Sequence, residues 1–281
     1  MPQIDAEGPP QHTMLETSGV WPFVSRRVHS EHGRVHVWTS RQHRKGLSRL
    51  DIPRIESFFA AQSLNTWIGV VFAIGASCFV VASLMSLFPG LAELSVLGSH
   101  IDAVYFAGSI PFTIAAWLQL FQAANPNATL SGRTARRRVW FGWYPKEIGW
   151  LSCALQFAGT VLFNFNTFDA MSPSLNWWQE NLVVWVPDLA GSILFLASGY
   201  LAFIEANHKH WAFHPRSLSW WIVFINLLGC VGFMISACFA FTLPSESNNL
   251  SVNISTAWTL QGAICFLAGA VLMPFESAES A

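Results

Sequence analysis

Residues 66–87 read TWIGVVFAIGASCFVVASLMSL and contain no charged side chain. At about 1.5 Å of rise per residue, a helix of that length spans a hydrocarbon layer about 30 Å thick. Five further stretches share this character, at roughly 101–122, 147–167, 183–204, 219–242 and 257–275. The chain is 52% hydrophobic and 11% charged, against about 25% charged in a soluble average. The expected fold class is therefore all-α: a polytopic membrane protein with six transmembrane helices.

The cations set the threading. Lys and Arg fall before the first stretch (Arg26 to Arg54), between the second and third (Arg133, Arg136, Arg137, Arg138, Lys146), and between the fourth and fifth (Lys209, Arg216). The three alternate loops carry only acids, Glu93, Asp169, Glu180 and Glu246. Cationic loops stay on the cytoplasmic side during insertion, so both termini are expected inside a cell membrane. Trp and Tyr gather at the ends of the stretches (Trp67, Trp117, Trp143, Tyr144, Trp150, Trp220, Trp221), where an apolar ring with one polar atom prefers the headgroup boundary. The first 60 residues show no apolar core of a cleavable leader, and the first span is expected to serve as the insertion signal.

The expected organisation is a disordered or basic N-terminal region over 1–50 and three membrane units. These are 51–122 with a juxtamembrane helix, 123–206 with a basic inner loop, and 207–281 ending in a short acidic tail. Residues 1–20 are rich in Pro, Gly, Gln and Thr, a composition that buries little and reads as disorder. Residues 51–64 carry Pro53, suited to a first helical turn, followed by Ile55, Phe58 and Phe59.

The three units repeat a pattern. Spans 1, 3 and 5 each hold Gly-x-x-x-Phe: Gly75/Phe79, Gly159/Phe163 and Gly229/Phe233. Spans 2 and 4 share Ala-Gly-Ser-Ile at 107–110 and 190–193, and span 6 has Gln261-Gly262-Ala263-Ile264 in its place. The glycines keep register within each pair, 108−75=33, 191−159=32 and 262−229=33. Three tandem helical hairpins of one orientation follow, related by a pseudo-symmetry axis along the membrane normal. Small residues let helices approach closely where lipid supplies no apolar driving force between them.

The run Asn65-Thr-Trp-Ile-Gly69-x-x-Phe72-x-Ile74-Gly75-Ala-x-x-Phe79, with Tyr105-Phe-Ala-Gly-Ser109-Ile, resembles the YrhK-like membrane domain, a two-helix unit of bacterial proteins. The likeness covers the hairpin over roughly 55–122. It weakens in the second, which has Gly159-Thr160 where the family has Gly-Ser, and again in the third with Gly262-Ala263. It implies a cell-membrane location and carries over no catalytic or binding residue.

Few groups suggest chemistry. Ionisable side chains within lipid are costly and usually functional. Asp102 and Asp188 open spans 2 and 4 and are expected as outer acidic caps, since carboxylates suit helix N-termini; an outer vestibule for a cation is the sharper alternative. Gln156 and Asn226 each stand three residues before a repeat glycine, placed to bridge helices or to line a path between hairpins. Fourteen residues after each even-span glycine come Gln122, Glu205 and Glu276, expected to face water or pair with Arg. Arg136, Arg137 and Arg138 are placed to meet anionic lipid headgroups, a simpler partner than nucleic acid, which is not expected. The histidines at 29, 32, 36 and 43 and at 208, 210 and 214 share one side, but a solvated basic surface suits them better than a metal site. All five cysteines lie within spans and no CxxC pair occurs. No metal, other cofactor or catalytic residue is expected. The protein partners stay open. Two functions remain: a non-catalytic structural, assembly or sensing protein of the cell membrane, or a passive transporter or channel for a small or apolar solute.

Overall fold

The structure, a computed structural model, describes residues 13–31, 34–47, 61–126, 138–172, 175–242 and 249–276. Six helices are long and apolar enough to cross a membrane, over Leu64–Leu87, Val96–Ala124, Ile148–Asp169, Trp177–Asn207, Leu218–Phe239 and Leu250–Phe275. The chain is an integral membrane protein with an all-α bundle. Its elements in the membrane part are α2 (Ala61–Leu87), a short α3 (Pro89–Glu93), α4 (Ile101–Ala124), α5 (Ile148–Asp169), a short α6 (Trp177–Glu180), α7 (Val186–Asn207), α8 (Leu218–Phe239) and α9 (Asn249–Leu272).

The long helices form three antiparallel hairpins, α2 with α4, α5 with α7, and α8 with α9. The hairpins also pack α4 on α5, α7 on α8, and α9 back on α2, so the bundle closes into a ring of six. A glycine pair marks each hairpin crossing. A methyl group on Gly159 would meet the Gly191 carbonyl oxygen at 3.1 Å and the Phe195 ring at 3.3 Å; on Gly229 it would meet Phe266 at 3.0 Å and the Gly262 carbonyl oxygen at 3.1 Å. At Gly75 the Phe112 ring and the Gly108 carbonyl oxygen stand at 2.7 and 2.8 Å. The missing side chains bring the paired backbones together and leave room for a ring from the facing helix.

Those rings fill the axis. All six long helices, not only the odd ones, carry Phe four residues after the glycine: Phe79, Phe112, Phe163, Phe195, Phe233 and Phe266. Within hairpins the ring centroids lie 5.4 Å apart for Phe79–Phe112, 4.9 Å for Phe163–Phe195 and 5.6 Å for Phe233–Phe266. Across hairpins, Phe79 meets Phe233 at 6.2 Å and Phe112 meets Phe266 at 5.9 Å. Such offset and edge-on pairs add about 0.5–1.5 kcal/mol each beyond area burial. The core of the bundle is thus an aromatic plug.

Every described Lys and Arg lies at one end of the bundle, because α2, α5 and α8 all start there. The segments entering α5 and α8 fold alike. Trp150 donates its indole N–H to the Phe141 carbonyl and Trp220 to the Ala212 carbonyl, both at 2.9 Å. Beside them Trp143 and Phe213 project outward, 78% and 67% exposed, as rings at a membrane boundary do.

Two expectations need correction. Residues 13–31 and 34–47 are neither disordered nor a loose basic surface, while the rest of the expected region, 1–12, 32–33 and 48–50, lies outside the described residues. β1 (Thr13–Ser18), β2 (Arg26–Glu31) and β3 (Arg34–Thr39) form an antiparallel sheet in the order β1-β2-β3, followed by α1 (Ser40–Lys45). Alternation drives it: Val28 pairs with Val37 on one face, and His29 with His36 on the other. Arg27 lies over the Trp38 ring at 5.1 Å. Secondly, α9 starts at Asn249, eight residues before the expected 257. Ser251, Thr256 and their neighbours stay helical because a helix satisfies its own backbone, and Ser255 and Thr259 bond sideways to Ser236 at 3.0 and 2.7 Å. The expected juxtamembrane helix falls on 51–60, outside the described residues, apart from the start of α2.

Candidate functional site

The site lies where α1 enters the basic end of the ring, packed against α4, α5 and α7. α1 is short and ends sharply: Gly46 takes φ 65°, and Leu47 N–H returns to the Gln42 carbonyl at 2.9 Å. This left-handed stop is one that glycine adopts without strain. Ser40 and Arg44 form one i,i+4 ridge, and Arg41 and Lys45 the next. Each ridge grips one carboxylate.

The first is Glu205, fully buried at 0% exposure. Arg44 donates Nε to its two oxygens at 3.0 and 3.1 Å and Nη2 at 2.8 Å, and Ser40 Oγ donates at 2.8 Å. Gly149 lies directly beneath, and a methyl group there would strike Arg44 Cδ at 2.6 Å. The second is Glu276, 2% exposed. Arg41 donates Nε at 2.7 Å and Nη2 at 3.2 Å, Lys45 donates Nζ, and Ser219 Oγ donates at 2.8 Å. Burial alone would raise the Glu276 carboxyl, but Arg41 and Lys45 hold it well below the usual carboxylate range. Two cations sharing one carboxylate are over-supplied, and burial together with Arg41 pushes Lys45 down to about 8. At the third equivalent position Gln122 replaces Glu, and its amide donates to Asn65 Oδ1 at 3.0 Å. The inner group of Gln122, Glu205 and Glu276 is therefore sealed from water, with the two acids paired to cations of the N-terminal region.

The module is also tethered by Ser25, whose Oγ shares a hydrogen bond with His208 Nδ1 at 2.7 Å. Burial, with the nearby Arg26, pushes the His208 imidazole down. His29 stacks on His36 at 5.5 Å, and His210 bonds Tyr200 at 2.8 Å. Among the described residues no three His, Cys, Asp or Glu side chains gather around a metal-sized space.

Beneath α1 lies a cavity of about 60 Å³. Arg41, Arg44 and Lys45 close it at the basic end, and Phe72, Phe195 and Phe266 of the aromatic core close it below. Gln119, Gln156, Asn226, Ser152 and Ser198 line its sides. Gln156 and Asn226 thus share one chamber, and neither bridges helices by a side-chain hydrogen bond among the described residues. Amides that do bridge helices include Gln122, already described, and Asn164, which donates to Thr113 Oγ1 at 2.9 Å.

The expected outer acids part company. Asp102 stands exposed in the first turn of α4, two residues after His100 at the capping position. Asp188 is not a cap. α6 continues through a π-helical turn at Asn181–Trp185 into α7, so Asp188 lies eleven residues inside a helix that starts at Trp177, about 16 Å down it. The Asn176 side chain caps that start, accepting from Gln179 N–H at 3.1 Å. Arg136 and Arg137 lie outside the described residues, and Arg138 sits at the basic end.

The residues that sequence reasoning missed are Ser40, Arg41, Arg44 and Lys45. Their i,i+4 spacing before a glycine was a usable signal, as was His32-Gly33 between two alternating runs, a two-residue hairpin pattern. Comparison of the chain with protein-family models, with curated proteins and with solved structures gives no match.

Proposed function

We propose that this chain is a non-catalytic sensing or assembly protein of the cell membrane, with its N-terminal module clamped to the cytoplasmic end of the bundle. The carrying observation is the pair of buried carboxylates, Glu205 and Glu276, each gripped by one ridge of α1. Buried ion pairs add little net stability over apolar packing, and their best-attested role is to fix one arrangement against others. An attachment of a small sheet to a membrane core that rests chiefly on ion pairs can act as an element with two discrete states, docked and released, as a switch requires. The cation count at this end supports a cytoplasmic placement, and Arg136, Arg137 and Arg138, which precede the exposed Trp140 and Trp143 in the sequence, suit anionic headgroups.

A second reading, a passive path for a small solute, is favoured by the chamber beside Gln156 and Asn226. In that reading the aromatic plug is a gate and α1 a second one. Proteoliposomes separate the two. With Glu205→Gln and Glu276→Gln combined, the sensing reading expects solute retention equal to that of empty vesicles. Leakage that appears only when the clamp is released, and is lost again with Gln156→Leu and Asn226→Leu, supports the path instead.

A further inference from the structure

We propose that the chamber beneath α1 binds one small monovalent anion of halide size, between the Arg44 guanidinium and the side-chain amides of Gln156 and Asn226. The inference deepens the clamp reading and rests on it for the docked position of α1.

Charge is the first ground. Arg41, Arg44 and Lys45 bring three positive charges to this buried place, and Glu205 and Glu276 bring two negative ones, a surplus of 3−2=1. An uncompensated charge held out of water is strongly disfavoured. Lys45 shows the strain of that surplus in its lowered pKa of about 8, set by burial and by Arg41. Below that pH the balance calls for an anion from outside the chain.

Donor geometry is the second. Arg41 and Arg44 spend Nε and Nη2 on the carboxylates. Arg44 Nη1 has only the weak acceptor Cys153 Sγ, at 3.9 Å. Arg41 and Arg44 border the chamber, as do Gln156 and Asn226, and no Asp or Glu lines it. A volume of about 60 Å³ is several times the roughly 10–15 Å³ that one water needs on the same measure. It admits a halide with a few waters and is too small to take in an oligomeric or lipid-borne anion whole.

Bromide is the probe. The full chain in detergent is held at neutral pH and constant sodium while bromide replaces gluconate. Thermal unfolding is expected to shift upward and saturate in wild type. Asn226→Leu is expected to weaken the apparent affinity about tenfold, the loss of one hydrogen bond to a charged group. Should that variant fold poorly, Gln156→Leu makes the same test. Crystals grown in bromide and measured at its absorption edge read clamp and site together. An anomalous peak beside Arg44 supports the site. A docked α1 over a chamber without a peak, with no saturable shift, overturns the anion site alone. An undocked α1 overturns the clamp, and the anion site with it.

Discussion

Glu276 takes two cations on one carboxylate, so its removal is felt twice. Glu276→Gln leaves Arg41 and Lys45 buried without a full countercharge, and breaking such a pair costs about 3–5 kcal/mol. Thermal unfolding of the purified chain checks this, and an unchanged midpoint speaks against the burial of the cluster. Sterics give a sharper contrast at the glycines. A methyl group on Gly108 would lie 2.7 Å from Cys78 Cβ and 2.9 Å from the Phe79 ring, whereas one on Gly90 would meet nothing within 4 Å. Gly108→Val is expected to destabilise by about 1–3 kcal/mol through overpacking, and Gly90→Ala to leave the bundle unchanged; the same melting experiment compares them. Gly75, Gly159 and Gly229 were legible in the sequence because they stand in register. The phenylalanines four residues after the even-span glycines were equally visible, but Ser-Ile-Pro and Ser-Ile-Leu before them drew the eye to the small residues. Glu205 and Glu276 were legible as a ring and not as a clamp, since their partners come from 161 and 235 residues away.

At the scale of elements, α1 owes its position to ionisable groups, so its docking depends on pH. Glu276 is held below its ordinary value of 4.5 by Arg41 and Lys45. Its stabilisation is complete above about that pH and is lost as pH falls through the lowered folded value. His208 is lowered from 6.5, so below that value the released imidazole takes up a proton that the docked one resists, and release gains further. Lys45 at about 8 against 10.5 works in the other direction: between those values the docked amine is neutral, the released one charged, and docking strengthens as pH rises. Protease cleavage of the 13–47 module is therefore expected to quicken from pH 6.5 downward and to slow from pH 8 to 10; a flat profile contradicts the assignment. The strands of this module were hidden by composition. Arg, His and Glu fill β2 and β3, and charge over so short a segment reads as a solvated surface unless the alternation is followed. The early start of α9 was hidden for a related reason, because Ser and Thr lower hydropathy without ending a helix whose neighbours accept their hydroxyls.

The whole molecule is a ring of six helices sealed twice, by six phenylalanines along its axis and by α1 at the basic end. The six spans were open to inspection because lipid leaves the backbone no alternative to helix. The chamber was not, since it depends on which helices become neighbours when the ring closes. Truncating a ring in the plug, Phe233→Ala, removes contacts to Phe79, Phe163, Phe195 and Phe266 at once. A loss of about 3–5 kcal/mol is expected, read by unfolding in detergent, and a cost near zero would mean that the axis is already loose. The N-terminal module docks through Glu205 and Glu276. Amide hydrogen exchange tests it most directly, in wild type and in Glu205→Gln combined with Glu276→Gln. Slow exchange is expected across residues 34–47 in wild type, lost in the double variant while α5 and α8 stay protected. Fast exchange over 34–47 in the wild-type protein would contradict it.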